Sequence, residues 1–223
     1  MSFAKTNSPD ETGDAGDEST AGQRVRHWDT RYGETDRKAL SWFQDHDETS
    51  LDLILRHGAA KASVIDVGAG NATLADDLLA RGYDDLALFD LSEVALSQTR
   101  DRLAGKGATP RFIQGDITQW APDRQWDVWH DRAVFHFLTE QAAQDAYLRA
   151  LERATAPGAL VVIATFSRIG PERCSGLPVQ RYGTDDLVLR LGNGFELIEG
   201  FEKDHITPGG GVQNFTHAAF RRV

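Results

Sequence analysis

Apolar and polar positions follow two different rhythms along this chain from about residue 62 onward. Short runs of β-branched and apolar residues indicate strands, and between them apolar residues recur at the spacing of amphipathic helices. The strand-like runs cover residues 63–67, 86–89, 111–113, 126–130, 159–164, 195–202 and 212–220. The helix-like stretches cover residues 24–32, 50–56, 72–80, 92–103, 140–154 and 185–191. This alternation predicts a parallel sheet with helices on both faces.

Turn-forming residues and the longest apolar run indicate the topology. Pro157-Gly158 predicts a turn before the run 159–164, whose residues are all apolar, as in a strand buried on both faces within a sheet. Residues 208–211 predict a hairpin turn between the last two strands. We therefore expect an α/β fold, a Rossmann-like, doubly wound, mostly parallel seven-stranded sheet with an antiparallel C-terminal hairpin. Such sheets bind ligands outside the carboxyl ends of their strands.

Length and composition predict one domain preceded by a tail. The chain has 223 residues, of which 40% are hydrophobic, enough for one α/β core. Residues 1–20 are polar and acidic and are expected to be a disordered tail, with one domain over 21–223 whose first part, about 21–60, is a helical lid. We expect no signal peptide, no membrane span and no intramolecular disulfide, because Cys174 is the single cysteine. A cytoplasmic location follows as the default expectation.

The charge of the chain bears on its partners. A formal net charge of -10 would repel a polyanion over most of the surface, which disfavours a nucleic acid as substrate. The sequence does not indicate the oligomeric state.

A glycine-rich turn follows the first predicted strand. The segment Asp66-Val67-Gly68-Ala69-Gly70-Asn71 leads into a helix, so that a ligand can approach the backbone closely. A dinucleotide fingerprint usually has a third glycine where this chain has Thr73. Asp66 before the turn would repel a pyrophosphate but suits a cationic ligand such as S-adenosylmethionine.

Two further carboxylates end the next two strands. Asp90, followed by Leu91, lies 24 positions after Asp66 (90 − 66). This is near the spacing of roughly 20 at which an acidic residue accepts hydrogen bonds from a ribose diol. After the third strand, Asp116 can accept from an adenine amino group while Ile117 packs on the ring. Because NAD shares the ribose requirement, Asp90 alone does not choose between the ligands, but the three elements together predict an adenosyl ligand along the strand ends.

With these motifs the sequence resembles the class I S-adenosylmethionine-dependent methyltransferases, from about Arg24 to Arg222. The segments His27–Tyr32, Ser41–Phe43 and Asp131–Ala133 are similar to the branch that includes the small lysine methyltransferases of elongation factor and citrate synthase. The resemblance implies S-adenosylmethionine as cofactor and S-adenosylhomocysteine as product. It also implies that Trp28, Tyr32 and Trp42 close over the cofactor, and that Asp131 and Arg132 lie beside its methionine end.

The residues after the fourth strand are candidates for chemistry on the methyl acceptor. We predict His136 as general base, since the unperturbed pKa of histidine is about 6.5, with Asp131 and Arg132 beside it. The alternative for His136 is a satisfied packing histidine. Arg132 can guide an anionic group of the acceptor, or else pair with Asp131 or Asp127.

Aromatic residues near these positions are candidate walls of the acceptor pocket. Trp42, Phe43, Phe137 and Tyr182 are predicted to contact the substrate together with Arg132 and His136, although aromatic residues are also common in cores. No metal ligands are predicted, and no chemistry is assigned to Cys174.

Three functions remain open at this point. The first is a methyltransferase for a small molecule with a thiol, nitrogen, oxygen or metalloid acceptor. The second is a protein lysine methyltransferase, although residues 134–138 depart from the Gly/Thr-rich continuation of those enzymes. The third is a nucleotide-binding protein without methyltransferase activity or an NAD-dependent oxidoreductase.

Overall fold

A seven-stranded sheet forms the centre of the protein. The computed structural model describes residues 20–107 and 109–223. In this sheet the strands lie in the order β3-β2-β1-β4-β5-β9-β8. Their bounds are β1 Val64–Val67, β2 Leu86–Asp90, β3 Arg111–Gln114, β4 Trp126–Arg132, β5 Thr155–Phe166, β8 Phe195–Ile206 and β9 Val212–Arg222, and the short strands β6 Arg173–Cys174 and β7 Leu177–Pro178 pair separately.

The pairing of the strands confirms the predicted fold class. The first five strands of the sheet pair in parallel, whereas β9 is antiparallel to both β5 and β8. The strand order reverses direction between β1 and β4, which creates a switch point at their carboxyl ends.

Six α-helices accompany the sheet in the described part of the chain. They are α1 Thr20–Glu34, α2 Glu48–His57, α3 Leu74–Ala80, α4 Glu93–Leu103, α5 Gln141–Ala154 and α6 Thr184–Leu191. Ser92 caps α4 because its hydroxyl accepts from the backbone N–H of Ala95 at 3.2 Å. All six overlap the stretches that the helical spacing predicts. Within residues 20–107 and 109–223, no helix combines the length and apolar character that a bilayer crossing requires.

The structure departs from the predicted pattern around residues 155–183. The prediction of a turn at Pro157-Gly158 is wrong, because β5 begins at Thr155 directly after α5. Opposite these residues the pairing with β4 jumps from Trp126–Thr155 to Val128–Leu160. The two turn formers are therefore taken up as an irregularity inside the strand. The small β6–β7 hairpin lies in a stretch where the sequence pattern predicts neither a strand nor a helix.

The predicted acidic tail falls almost wholly outside the described residues. Only its last residue, Thr20, is described, as the first residue of α1. Helices α1 and α2 occupy the region expected to form a lid, and residues of α1 contact the carboxyl edge of the sheet.

Candidate functional site

A cavity of about 1010 Å³ opens at the carboxyl ends of β1, β2 and β4. One end, which we call the acidic end, contains Asp90 and Asp116, and the other, which we call the aromatic end, reaches Phe166, Cys174 and Phe215. The position at the switch point is the one that open α/β sheets use for ligands.

The glycine turn after β1 brings the backbone to the cavity wall. Gly68 and Gly70 have φ values of 71° and 52°, in the left-handed region that favours glycine. A Cβ at Gly68 would collide with Cγ2 of Val134, and one at Gly70 would collide with the Tyr32 hydroxyl. Both positions therefore require glycine for close approach as well as for backbone conformation.

Two other residues predicted in this turn lie away from the cavity. Asn71 donates from Nδ2 to Oε1 of Gln98 at 2.9 Å and faces outside the cavity lining, and the side chain of Ala69 is buried beside α3 and α4. Their predicted contact with a cofactor could therefore be made only through the backbone of the turn.

Asp66 is held by a histidine on the neighbouring strand. Its Oδ1 lies 2.6 Å from Nδ1 of His130, and the two residues are register partners on β1 and β4, so their side chains point to the same face. Burial lowers the pKa of His130, but the surrounding carboxylates, Asp66 first among them, raise it by more. The net shift of the pKa is therefore upward. Asp66 does not line the cavity. One oxygen of Asp66 is thus occupied by His130, and the side chain lies behind the cavity lining. Its predicted contact with the cofactor stays a prediction.

Asp90 presents a fixed carboxylate at the acidic end. Its Oδ2 accepts from the N–H of Gly70 and its Oδ1 from the N–H of Ser92, each at 2.8 Å. Burial raises the pKa of Asp90 to about 6 despite these two donors. Asp90 and Leu91 both line the cavity, and their predicted contact with the cofactor stays a prediction.

Asp116 forms the second acidic wall, where α1 closes over it. Its Oδ1 accepts from the N–H and hydroxyl of Thr118, at 2.9 and 2.7 Å, and its Oδ2 accepts from Arg24 at 2.5 Å. Burial raises the pKa of Asp116, but the Thr118 hydrogen bonds and Arg24 together lower it by more, so the net shift is downward. Ile117 lines the cavity beside it. Arg24 was missed from the sequence, since a contact across 92 positions leaves no local signal.

Aromatic side chains cover the middle of the cavity. The Trp28 ring lies 6.0 Å from Tyr32, 5.9 Å from Trp42 and 5.2 Å from Phe137, measured between centroids. All four line the cavity, which agrees with their predicted positions. Phe43 does not line it and instead packs below the Arg37 guanidinium, 5.0 Å away.

Asp131 is fully buried behind the cavity wall. Its carboxylate accepts from the N–H groups of Val134 and Phe135, at 2.9 and 3.1 Å, and from the Tyr147 hydroxyl at 2.7 Å. Burial raises its pKa to about 6. These bonds fix the turn after β4, so the structure replaces the predicted cofactor contact with a positioning role.

His136 also lies outside the cavity lining. It is fully buried, and its Nδ1 accepts from the N–H of Phe166 at 3.2 Å. Burial, assisted by Arg132, lowers its pKa to about 3. A side chain with this pKa is a poor proton acceptor near neutral pH. The side chain is therefore packed in the core, with Nδ1 hydrogen-bonded and Nε2 without a partner among the described residues. The burial and the low pKa argue against the predicted general base.

Tyr182 is likewise a core residue. Its ring packs 5.3 Å from that of Phe135, and it does not line the cavity. The predicted substrate contact of Tyr182 is corrected for the same reason as that of His136, because tertiary packing places the side chain under the wall.

The C-terminal hairpin supplies part of the aromatic end. Gln213 and Phe215 from β9 line the cavity, and Cys174 from β6 lies beside them with a pKa raised to about 11 by burial. Neither β9 residue was singled out from the sequence. The only signal was strand alternation, which places residues 213, 215 and 217 on one face without saying what that face meets.

The central part of the chain matches a protein-family model. Residues 64–158 match the model of a methyltransferase domain. The eEF1A lysine and N-terminal methyltransferase of Bos taurus is 28% identical over 111 residues, which is 49% of this chain but 16% of that protein. The human protein is 26% identical over 111 residues, again 16% of its length. The aligned part thus spans about a sixth of these curated relatives.

Solved structures share the whole architecture. The 1,6-didemethyltoxoflavin-N1-methyltransferase of Burkholderia thailandensis, with bound 1,6-didemethyltoxoflavin and S-adenosylhomocysteine, has a TM-score of 0.69 at 19% identity. The match covers 99% of this chain and 94% of that chain. A structure from echinomycin biosynthesis, concerning conversion of a disulfide into a thioacetal, has a TM-score of 0.69 at 24% identity, covering 89% and 92%. The glycopeptide N-methyltransferase MtfA with S-adenosylmethionine has a TM-score of 0.62 at 16% identity, covering 82% and 97%.

Together these matches confirm the predicted resemblance to the class I methyltransferases and the predicted fold.

Proposed function

Since the chain carries a methyltransferase domain on the class I fold, we propose that it transfers the methyl group of S-adenosylmethionine to a small-molecule acceptor. The domain match favours methyl transfer over the oxidoreductase alternative. Similar structures have been solved with S-adenosylmethionine or S-adenosylhomocysteine bound, which supports the same cofactor here.

One observation carries the proposal. The cavity joins the carboxylates of Asp90 and Asp116 at its acidic end to an aromatic end that extends beyond them, so a cofactor held at the first end would leave the second end to an acceptor. Asp90 would accept from the ribose hydroxyls and Asp116 from the adenine amino group, with Ile117 against the ring. Gly68 allows the ligand to lie against the backbone.

The protein's contribution to the reaction is alignment and exclusion of water. The cofactor, when bound, supplies a methyl carbon attached to a positively charged sulfur. Trp28, Tyr32 and Phe137 present ring faces and edges to the middle of the cavity, where they would hold such a cation and keep water out. Holding the acceptor atom in line with the carbon–sulfur bond then lowers the barrier without a covalent intermediate.

The ionisable groups of the aromatic end suit an acceptor that needs no strong base. In the described residues that line this end, the ionisable side chains are Arg132 and Cys174. A guanidinium has no acceptor lone pair, and burial raises the pKa of the Cys174 thiol to about 11, so neither group serves as a base near neutral pH. We therefore propose an acceptor atom whose lone pair is already free at neutral pH.

Protein lysine methylation is the second candidate. It is favoured by the similarity to the eEF1A lysine and N-terminal methyltransferases of Bos taurus and Homo sapiens. The small-molecule acceptor is preferred because helix α1, the segment around Trp42 and the β9 residues Gln213 and Phe215 all close on the cavity and leave a compact compartment.

Radiolabelled transfer separates the candidates. The protein is incubated with methyl-labelled S-adenosylmethionine and a bacterial lysate, which is then divided by molecular mass. We expect label in the low-mass fraction with the natural chain and a strong reduction with Asp90→Asn. Label confined to a protein band would favour the lysine methyltransferase, and no transfer to any fraction would count against methyl transfer to acceptors present in that lysate.

A further inference from the structure

A second cavity of about 400 Å³ lies beside the first, and the two share Arg132 and Phe215 as lining residues. We call it the side cavity. One wall is formed by residues 44–49, before and at the start of α2, and the other by the β8–β9 hairpin. None of the predicted cofactor-binding residues lines it.

Strand geometry explains why polar side chains of the hairpin gather there. Lys203 pairs with Phe215 and His205 pairs with Gln213 in the antiparallel register. Alternate residues of a strand point to one face, so Lys203 and His205 on β8 share that face with Phe215 and His217 on β9. The hairpin thus presents basic and imidazole side chains next to the aromatic end of the main cavity.

Arg132 is anchored on several sides and yet keeps a free donor. Its Nη1 donates to the carbonyl of Trp42 at 3.1 Å, its Nε lies 3.7 Å from Oδ2 of Asp47, and its guanidinium carbon lies 5.5 Å from the Phe215 ring centroid. The side chain is 9% exposed, and its Nη2 is buried without a hydrogen-bond partner among the described residues. A buried charged donor left unpaired is unfavourable, so this group favours an acceptor from outside.

His217, which also lines the side cavity, carries a second buried nitrogen without a partner within residues 20–107 and 109–223. Its ring stacks on Phe201 with centroids 5.5 Å apart and an interplanar angle of 17°, and the residue is 6% exposed. Nδ1 of His217 has no hydrogen-bond partner in the part of the chain that the structure describes. Stacking fixes the ring, so this nitrogen is preorganised rather than free to turn to water.

The two cations that line the side cavity are matched in number by two carboxylates. The preference for an anion therefore depends on Nη2 of Arg132 and Nδ1 of His217, which lack partners in the described chain, and not on net charge. Lys203 donates to the Thr49 hydroxyl at 3.0 Å and remains at the rim as a second cation. Two acidic residues, Glu48 and Asp204, also line the cavity, and Asp204 accepts from Asn214 at 2.7 Å. Asp47 balances the Nε side of Arg132 but not Nη2.

We propose that the side cavity binds an anionic group of the methyl acceptor, a carboxylate or a phosphoryl group, through Nη2 of Arg132 and Nδ1–H of His217. The apolar body of the acceptor then lies in the main cavity against Phe215, a residue that lines both cavities. This identification of the anion as part of the acceptor rests on the proposed function, whereas anion binding itself does not.

Ligand titration with small probes tests the proposal. Phenylacetate, phenylphosphonate and the neutral phenylacetamide are titrated into the full-length protein, with and without saturating S-adenosylhomocysteine, and followed by calorimetry or ligand-observed NMR. We expect an anionic probe to bind at least tenfold more tightly than phenylacetamide. The stronger of the two anionic probes then identifies the carboxylate or the phosphoryl group as the source.

Substitutions locate the binding. Arg132→Gln is expected to weaken the preferred anionic probe at least tenfold, and Arg111→Gln, which removes the same charge from an exposed pair with Asp123, is expected to leave it unchanged. If Arg132→Gln does not fold, His217→Phe keeps the stacking on Phe201 and removes the donor. It is expected to weaken the same probe at least threefold.

Three results would overturn the proposal. One is equal binding of phenylacetate, phenylphosphonate and phenylacetamide. Another is anionic-probe binding that survives both Arg132→Gln and His217→Phe. The third is a larger loss for S-adenosylhomocysteine than for the probe in Arg132→Gln, which would assign the guanidinium to the cofactor's own carboxylate. Absence of S-adenosylhomocysteine binding to the natural chain would instead contradict the proposed function, and the titrations without it would still decide the anion site.

Discussion

Asp90 is the residue whose ionisation should be visible in cofactor binding. Its pKa is raised to about 6 by burial, and a ribose diol donates best to the ionised carboxylate. The affinity for S-adenosylhomocysteine should therefore be constant above pH 7 and fall as the pH drops through 6, by up to about tenfold per unit well below that pH. Calorimetry between pH 5 and 8 measures this.

Asp90→Asn provides the matched test of that pH dependence. The amide can accept only one of the two backbone hydrogen bonds, so we expect at least about a tenfold loss of affinity, as for a hydrogen bond to a charged group of about 1.5–3 kcal/mol, and a flat pH profile. Asp101→Asn, on the exposed side of α4, serves as control. A pH profile that survives Asp90→Asn would assign the titration to another group.

Burial of Asp90 has the opposite effect on folding. Its folded pKa lies above the unfolded value near 3.9, so its contribution to stability is present below pH 4 and is lost as the pH rises through about 6. Asp131, whose pKa is also raised to about 6, acts in the same direction. Both carboxylates are thus unfavourably desolvated when they are ionised at neutral pH, and a ligand that donates a hydrogen bond to Asp90 would offset part of this cost.

The glycine at the turn offers a second test at the residue scale. Gly68 and Gly105 both have left-handed backbone, at φ 71° and 77°, but a Cβ at Gly68 would collide with Val134 whereas one at Gly105 would meet no atom within 4 Å. Each change to alanine should cost about 1–2 kcal/mol from the backbone alone. Thermal unfolding and calorimetry should show a further loss of stability and of S-adenosylhomocysteine affinity in Gly68→Ala only. Equal effects would refute the close approach.

His136 separates the packing interpretation from the predicted base. Because its pKa is about 3 and its Nδ1 serves the N–H of Phe166, His136→Asn keeps an acceptor for that bond and should retain methyl transfer to the low-mass fraction between pH 6 and 8. A loss of turnover of 100-fold or more with unchanged S-adenosylhomocysteine affinity would restore the general base. Sequence position suggested the base because His136 follows β4, but burial depth cannot be read from position.

Helix α1 is the element most directly tied to occupancy of the cavity. It contributes Arg24, Trp28 and Tyr32 to the lining, and Arg24 is joined to Asp116. We propose that it orders over the bound cofactor, so amides of residues 24–32 should exchange more slowly with solvent in the presence of S-adenosylhomocysteine. Helix α5, which has no residue in the lining, is the internal reference. Equal protection with and without ligand would show that α1 does not act as a lid.

Hydrophobic pattern predicts elements well where local chemistry decides them. The strands β1, β2, β3 and β4 and the helix α4 lie within a few residues of their predicted bounds, because apolar runs and the Ser92 cap are local signals. Pro157-Gly158 misled the prediction, since pairing of Thr155 with Trp126 overrode its turn preference. Strand pairing is a long-range term that no local window contains.

The contrast between local signals and long-range pairing also applies to the residues of the site. Asp90 and Asp116 could be placed from the sequence because each ends a parallel strand, and such ends meet at one edge. Asp66 could not, since its partner His130 comes from a different strand, and Phe215 could not, since β9 joins the site only through pairing with β5. The aromatic end and the side cavity, and with them the acceptor, depend on this tertiary arrangement.

At the scale of the whole molecule the fold forms a cavity suited to an adenosyl ligand, and calorimetric titration with S-adenosylhomocysteine and with NAD tests that most directly. The account predicts saturable binding of S-adenosylhomocysteine at one site per chain, lost or strongly weakened in Asp90→Asn, with no binding of NAD. Tight NAD binding, or S-adenosylhomocysteine affinity unaffected by both Asp90→Asn and Gly68→Ala, would contradict it.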